Sequence, residues 1–425
     1  MDRMTPEWLA LDHAHVWHPY TQHGNTPDFL PVVRGEGTYL HLADGTRLLD
    51  AISSWWVNLH GHARPEIADA IAEQARTLEQ VIFAGFAHEP AARLAAELVQ
   101  VLPAGLTRVF FSDDGSTAVE AAVKMAIQLW AHRGERRPLV AALENAYHGD
   151  TFGAMSASAS SVFTDPFSAH LFEVARLPDP SDGDVLSALD ALIDRRGHEL
   201  AAVIVEPLLL AAGGMRVWGE DALRGIRERT ERAGVLLIAD EVATGFGRTG
   251  PLFACGRAGV SPDILCMSKG ITGGFLPLGA TAVREEVFQA FVSPDRRRTF
   301  FHGHSYTANP VACAAARASL RITLSDACTR SRAEIESAHR AGLGRLAGHP
   351  RVSAPRVIGT VAAFDLAADA GYLSPIGRQL AEFAARQGVL LRPLGNVVYL
   401  MPPYCTTADE VAGVYDVVAR FLDTL

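Results

Sequence analysis

The chain has 425 residues, 48% of them hydrophobic, with 37 glycines and 23 prolines, enough to bury a large core and to divide into two or three domains. A formal charge of -10 offers no electrostatic reason to bind nucleic acid or an acidic membrane surface, so neither is expected as a partner. Five cysteines, odd in number and widely spread without a C-x-x-C pair or metal-ligand spacing, read as reduced and structural, with no metal implied.

In chain order, the N-terminal run MDRMTPEWLALDHAH lacks the basic start and apolar stretch of a signal peptide. No later run approaches the roughly 18 apolar residues of a membrane span, and a cytoplasmic location is expected. TYLHLADGTRLLDA alternates on both sides of Asp44-Gly45 and predicts a β-hairpin, followed by Trp55 and Trp56. From Pro65 the pattern turns helical in PEIADAIAEQARTL and EPAARLAAELVQVL. Strands are then predicted at RVFF (108 to 111), PLVAAL (138 to 143), AAVIVEP (201 to 207), GVLLIAD (234 to 240), DILCMS (263 to 268) and GATAV (279 to 283), alternating with helices. That alternation predicts one large α/β domain with a mostly parallel sheet. The helix in NPVACAAARASLRIT is followed by a second long helix, a single strand around VIGTVAAFDL, a further helix, VLLRPLGNVVYLMPP, and a last helix opened by the capping box Thr407-x-x-Glu410. The expected division is residues 1–62 as a segment joining the small domain, 63–328 as the large domain, and 329–425 as a small α/β domain built from both chain ends.

The candidate chemistry lies at the strand ends. LLIADEVATGFGRTG is an apolar run that stops at Asp240 and Glu241 and turns glycine-rich, as a strand does at the ligand-binding edge of a parallel sheet. A carboxylate there either caps a loop, pairs with an arginine, or faces a cation on a ligand. Lys269, in DILCMSKGITGGF, follows a second apolar strand; it is either a solvated loop lysine or an amine kept nucleophilic by an apolar pocket. Gly115 and Ser116, in FFSDDGSTAVEAAVKMA, open a long helix after a short strand. The turn is either an ordinary one with Ser116 as N-cap or an anion site made of free N–H groups, the Ser116 and Thr117 hydroxyls and the helix dipole. Neither a Walker loop nor a G-x-G-x-x-G fingerprint is present, which weighs against nucleotide hydrolysis and nicotinamide chemistry. A lysine for an aldehyde, a carboxylate for a pyridine nitrogen and a helix N-terminus for a phosphate together match pyridoxal 5'-phosphate.

DEVATGFGRTG, SKGITGG and HGHSYTANPVACAAA, taken in that order, resemble the class III (ω-type) aminotransferases of fold type I over nearly the whole chain. WHPYTQ (17 to 22), SSWW (53 to 56), HGHARPEI, AYHGDT (146 to 151) and LRPLGNVVYLMPPY (391 to 404) resemble the branch of that family serving biotin synthesis. The resemblance implies that Lys269 holds the cofactor aldehyde as a Schiff base and shuttles the proton. Asp240 would bind the pyridinium nitrogen, with Tyr147 stacked on the ring. Gly115 and Ser116 would bind phosphate, joined by Ser305 from the partner subunit of a homodimer. Tyr20, Trp55 and Trp56 would wall the substrate pocket, Arg392 would receive a substrate carboxylate, and Asp150, Gly303 and Arg248 would lie nearby. The implied substrates are 8-amino-7-oxononanoate as acceptor and S-adenosylmethionine as donor. Other class III reactions, of ω-amino acid:pyruvate aminotransferases or aminomutases, share Lys269 and Asp240, and a non-catalytic scaffold would share only the fold. On the residues alone, the aromatic trio also reads as plain core or interface, Arg392 as half of a structural salt bridge, and Glu206 as either a brace for the cofactor loop or a strand end. His148 and His302 have no metal or triad spacing and receive no catalytic role. Ser305 stands where the family usually has threonine and keeps the hydroxyl, while His304 stands in place of an expected proline.

Overall fold

The apolar alternation around Asp44-Gly45 closes as a hairpin, with Gly45 at φ 84° and the Asp44 carboxylate accepting from the Thr46 N–H at 2.9 Å. The structure is a computed structural model that describes residues 6–24, 29–368 and 371–425. In it β1 (Val32–Glu36) pairs antiparallel with β2 (Tyr39–Leu42), which pairs antiparallel with β3 (Arg47–Asp50). The sequence gives no sign of β1, because VVRGE is an exposed edge without buried alternation.

Next come β4 (Leu106–Ser112), β5 (Leu139–Leu143), β6 (Val174–Leu177) and β7 (Leu200–Val205). A small ribbon of β8 (Leu209–Leu210) and β9 (Arg216–Val217) precedes β10 (Leu236–Asp240), β11 (Ile264–Met267) and β12 (Gly279–Arg284). One seven-stranded sheet runs in the order β4-β12-β11-β10-β7-β5-β6. Strands β11, β10, β7, β5 and β6 are mutually parallel, and β12 is antiparallel to both its neighbours. Strands β5 and β7 are buried at every position, which is why they read as unbroken apolar runs. All six expected strands are present. The seventh, β6, escapes the pattern because only Leu177 is fully buried.

The stretch VIGTVAAFDL is corrected from one strand to parts of two. The chain reverses at Gly359 (φ 54°) and Thr360, so that β13 (Val352–Ile358) pairs antiparallel with β14 (Val361–Leu366). Beyond them, β15 (Val389–Leu390) runs parallel to β3, and β16 (Val397–Leu400) pairs antiparallel with β14. Leu49 and Ala51 share an apolar cluster with Leu343, Phe364, Leu380, Val398 and Tyr415. The last helix, Ala408–Leu422, opens on the expected capping box: Thr407 Oγ1 accepts from the Glu410 N–H at 3.2 Å and Glu410 Oε2 from the Thr407 N–H at 2.8 Å. Among the described residues, no helix is long and apolar enough to cross a membrane.

Candidate active site

Strand direction brings the loops that follow β4, β5, β7, β10 and β11 to one edge of the sheet. They enclose a cavity of about 520 Å³ lined by Gly115, Ser116, Tyr147, Asp240 and Lys269, with Tyr20, Trp55 and Trp56 from the N-terminal segment. Asp150, Arg248, Gly303, Ser305 and Arg392 do not line it.

Asp240 is buried at the end of β10, and its partner is neither an arginine nor a loop alone. His148 Nδ1 donates to Asp240 Oδ2 at 2.7 Å, and Oδ1 accepts from the Val242 N–H at 3.1 Å. His148, given no role from the sequence, is thus the missed member of the site. Its own N–H is held by Ser158 Oγ at 2.8 Å. The adjacent carboxylate, Glu241, points away and staples its loop, accepting from the N–H groups of Ala254 and Cys255 and from the Thr244 hydroxyl at 2.6 to 2.9 Å. In the same loop Gly247 has φ 97°, and a Cβ there would lie 2.0 Å from Arg332 Nη1, so DEVATGFGRTG needs this glycine for both conformation and space.

Lys269 begins a short 3-10 turn at φ 43° directly beyond β11. Its Nζ lies 4.8 Å from the centre of the Trp56 ring. Burial holds its ammonium below the ordinary lysine range, against the opposing pull of Asp240 and Glu206. Glu206 braces the loop after β5: Oε1 accepts from the Tyr147 N–H at 2.9 Å and Oε2 from the Ala211 N–H at 3.1 Å. Burial, reinforced by Asp240 and opposed by His148, pushes its carboxyl up to about 7.

At the helix Gly115–His132 the N-cap is Asp114, not Ser116. Asp114 Oδ1 accepts from the Thr117 N–H at 2.8 Å, and Thr117 Oγ1 accepts from the Asp114 N–H at 3.1 Å. Of the two alternatives for this turn, the serine cap is excluded because Asp114 already fills that position. Ser116 Oγ accepts instead from the Asp150 N–H at 3.1 Å. Among the described residues, no protein group accepts from the N–H groups of Gly115 and Ser116.

The phenols of Tyr20 and Tyr147 both donate to Asp150, at 2.6 and 2.9 Å. Tyr20 meets Trp55 edge-on at 5.3 Å and Phe163 at 5.7 Å, and Phe163 meets Tyr372 at 4.6 Å. Phe163 and Tyr372 extend the wall, and isolated aromatics in loops carry no sequence signal that would have found them. Arg392 stands over Trp55 with its guanidinium carbon 4.6 Å from the ring centre, and among the described residues no carboxylate pairs with it. Arg248 adjoins the cavity wall through Trp56 without lining the cavity: it is fully buried and donates to the carbonyls of Pro402, Trp56 and Asn58. Gly303 and Ser305 are exposed, the Ser305 carbonyl accepting from Gln80 Nε2 at 2.6 Å. His302 faces Lys124 at 3.0 Å, away from the cavity.

The profile of the family described as Aminotransferase class-III matches residues 20–422. The chain belongs to the class III aminotransferases. It is 53% identical over 424 residues to the adenosylmethionine-8-amino-7-oxononanoate aminotransferase of Synechococcus elongatus, covering 97% of this chain and 99% of that one. The enzyme of that name from Mycobacterium leprae is 40% identical over 96% of this chain and 95% of its own length. Among solved structures, the adenosylmethionine-8-amino-7-oxononanoate aminotransferase of Methanocaldococcus jannaschii superposes with a TM-score of 0.94 at 34% identity, over 98% of each chain. A PLP-bound amine transaminase from an uncultivated Pseudomonas species gives 0.87 at 33% identity, over 96% of this chain and 98% of its own. The protein is therefore a fold type I aminotransferase that works with pyridoxal phosphate.

The residues present fit that group. A Cβ on Gly115 would fall 2.7 Å from the Val242 side chain, so backbone approaches closely where a phosphate needs bare N–H groups. Asp240, buried, and Lys269 both line the same cavity.

Proposed function

We propose that this aminotransferase transfers the amino group of S-adenosylmethionine to 8-amino-7-oxononanoate, giving 7,8-diaminononanoate in biotin synthesis. The observation that carries the substrate reading is the half-buried Arg392 guanidinium, unpaired among the described residues and stacked on Trp55, which lines the aromatic-walled cavity. An acceptor that is a long aliphatic chain ending in a carboxylate matches an apolar tunnel with one arginine at its end. The names of the most similar relatives support the same substrates.

Bound in the cavity, pyridoxal phosphate supplies an aldehyde that takes up the amino group and a ring that accepts the electron pair left when a carbon-bound proton is removed. We assign the remaining work to the chain. Lys269 Nζ removes that proton from one carbon and returns it to another, a role its lowered basicity suits. Asp240 holds a proton on the ring nitrogen, and the His148 N–H fixes the Asp240 carboxylate. Gly115 and Ser116 offer N–H groups, and Ser116 a hydroxyl, to the phosphate. Tyr147, tethered through Asp150 and Glu206, covers the ring.

We infer a homodimer in which Ser305 of the second copy completes the phosphate site. Ser305 is exposed and outside its own chain's cavity, and Ile82, Phe86, Phe301 and Tyr306 present large exposed apolar surface on the segments around it. Substrate recognition is tested with Arg392→Ala. The KM for 8-amino-7-oxononanoate is expected to rise by a factor corresponding to about 1.5–3 kcal/mol, with a much smaller change for S-adenosylmethionine. Equal changes for both substrates would remove Arg392 from acceptor recognition.

A further inference from the structure

The turn Ser53–Trp56, which presents both tryptophans of the cavity wall, is built from conformations that side chains avoid. The φ angles are 53° at Ser53, 60° at Ser54 and 69° at Trp56. Ser54 combines its φ with a ψ of -74°, the geometry of the rare and strained γ-turn. Such conformations persist only where the surroundings over-determine them.

Asp50, the last residue of β3, supplies that constraint. Its side chain is fully buried, yet it lines no part of the cavity. Oδ2 accepts from the Ser54 N–H at 2.7 Å and from Ser54 Oγ at 3.0 Å, and Oδ1 accepts from the Ile52 N–H at 3.3 Å. His62 Nε2 donates to the same Oδ2 at 2.9 Å, while Asn58 Nδ2 donates to His62 Nδ1 at 3.0 Å and so leaves Nε2 to carry the proton. The far side of the turn is pinned by Ser53 Oγ to the Met401 carbonyl at 2.7 Å and by Trp56 Nε1 to the Tyr399 hydroxyl at 3.0 Å. A buried carboxylate is weak evidence for stability, since apolar side chains would fill the same volume at no desolvation cost. What an apolar residue could not do is accept both bonds from Ser54.

We propose that Asp50, oriented by His62, is a positioning residue that sets acceptor selectivity by holding the strained Ser53–Trp56 turn. The inference rests on the reading of the aromatic cavity as the acceptor site. Through this turn Asp50 fixes the Trp55 ring beneath Arg392 at 4.6 Å and the Trp56 ring 4.8 Å from Lys269 Nζ. Without it the backbone relaxes, Arg392 loses its platform, and the acceptor carboxylate loses a fixed partner.

The test compares holoenzymes of wild type, Asp50→Asn, His62→Gln and the double variant Asp50→Asn/Ser54→Gly. Glycine adopts positive φ freely and so relieves the need for the clamp. Asp50→Asn is expected to raise the KM for 8-amino-7-oxononanoate by about tenfold or more, the scale of a lost charged hydrogen bond, with the Kd for pyridoxal phosphate changing less than about twofold. Its crystal structure is expected to show Trp55 displaced from Arg392, and the added Ser54→Gly to recover most of the KM. An unchanged KM in folded Asp50→Asn with Trp55 in place overturns the proposal. So does a rise in KM together with a loss of cofactor affinity, neither reversed by the added glycine. Should Asp50→Asn not fold, His62→Gln, which loosens the orientation of the carboxylate on which both Ser54 bonds depend, carries the same comparison, with a smaller rise in KM expected and the same outcomes deciding it. A wild type that does not use 8-amino-7-oxononanoate would contradict the substrate reading instead, and displacement of Trp55 in the variant's crystal structure would still uphold the role of Asp50.

Discussion

Burial of Glu206 in the cavity wall ties the stability of the cofactor-free enzyme to pH. Its carboxyl is pushed up to about 7, above its value in an unfolded chain, so the folded state binds the proton more tightly. Stability therefore falls as pH rises from the ordinary carboxyl range through about 7, and is fully retained below it. Glu206→Gln, which cannot ionise, is expected to flatten the dependence of the melting temperature on pH between about 4.5 and about 7. An unchanged slope would mean that Glu206 stays ionised in the folded apoenzyme. At this scale Lys269 and Asp240 were legible, because each follows an apolar strand and precedes glycines. His148 was not, because the bond that matters reaches Asp240 across 92 positions of sequence and leaves no local pattern. Arg248, expected only to lie nearby, has its guanidinium satisfied by buried backbone carbonyls, that of Trp56 among them.

The turn between β4 and the helix Gly115–His132 shows how an element acquires a binding property from its cap. Asp114 satisfies the Thr117 N–H, which leaves the N–H groups of Gly115 and Ser116 and the Ser116 hydroxyl for an anion. Ser116→Ala is expected to weaken pyridoxal phosphate binding by about 1–3 kcal/mol, measured by titrating the apoenzyme. A wild-type Kd in that variant would restrict phosphate binding to the backbone. Five of the six predicted strands of the central sheet were legible because strands covered on both faces are continuously apolar, and the edge strand β4 because of its apolar run Val109-Phe110-Phe111. Strands β1 and β6 lie at sheet edges with exposed residues, and there the signal fades. The VIGTVAAFDL misreading had a different cause. Gly359-Thr360 turns the chain tightly between two apolar segments, which is indistinguishable by periodicity from one strand passing through a glycine.

For the whole molecule, Leu49 and Ala51 sit in one apolar cluster with residues from 343 onward, and β3 pairs with β15. On that basis we propose that segments 1–62 and 329–425 form one unit beside the larger sheet. The proposed dimer makes a stoichiometric prediction. A heterodimer of Lys269→Ala and Ser305→Ala subunits should contain one intact site and one doubly damaged site, resolved as two affinities in cofactor titration. Two equally impaired sites would show that Ser305 serves its own subunit.

The proposed amino transfer is tested by incubating purified holoenzyme with S-adenosylmethionine and 8-amino-7-oxononanoate and identifying the product by mass spectrometry, with Lys269→Ala as the blank. It predicts 7,8-diaminononanoate from the wild type, with S-adenosylmethionine a better donor than alanine, lysine or glutamate, and turnover reduced at least about a hundredfold in the variant, the scale of a lost acid–base group. Efficient amination of other acceptors by alanine or lysine, with no 7,8-diaminononanoate formed from S-adenosylmethionine, would contradict it and leave a class III aminotransferase of different specificity.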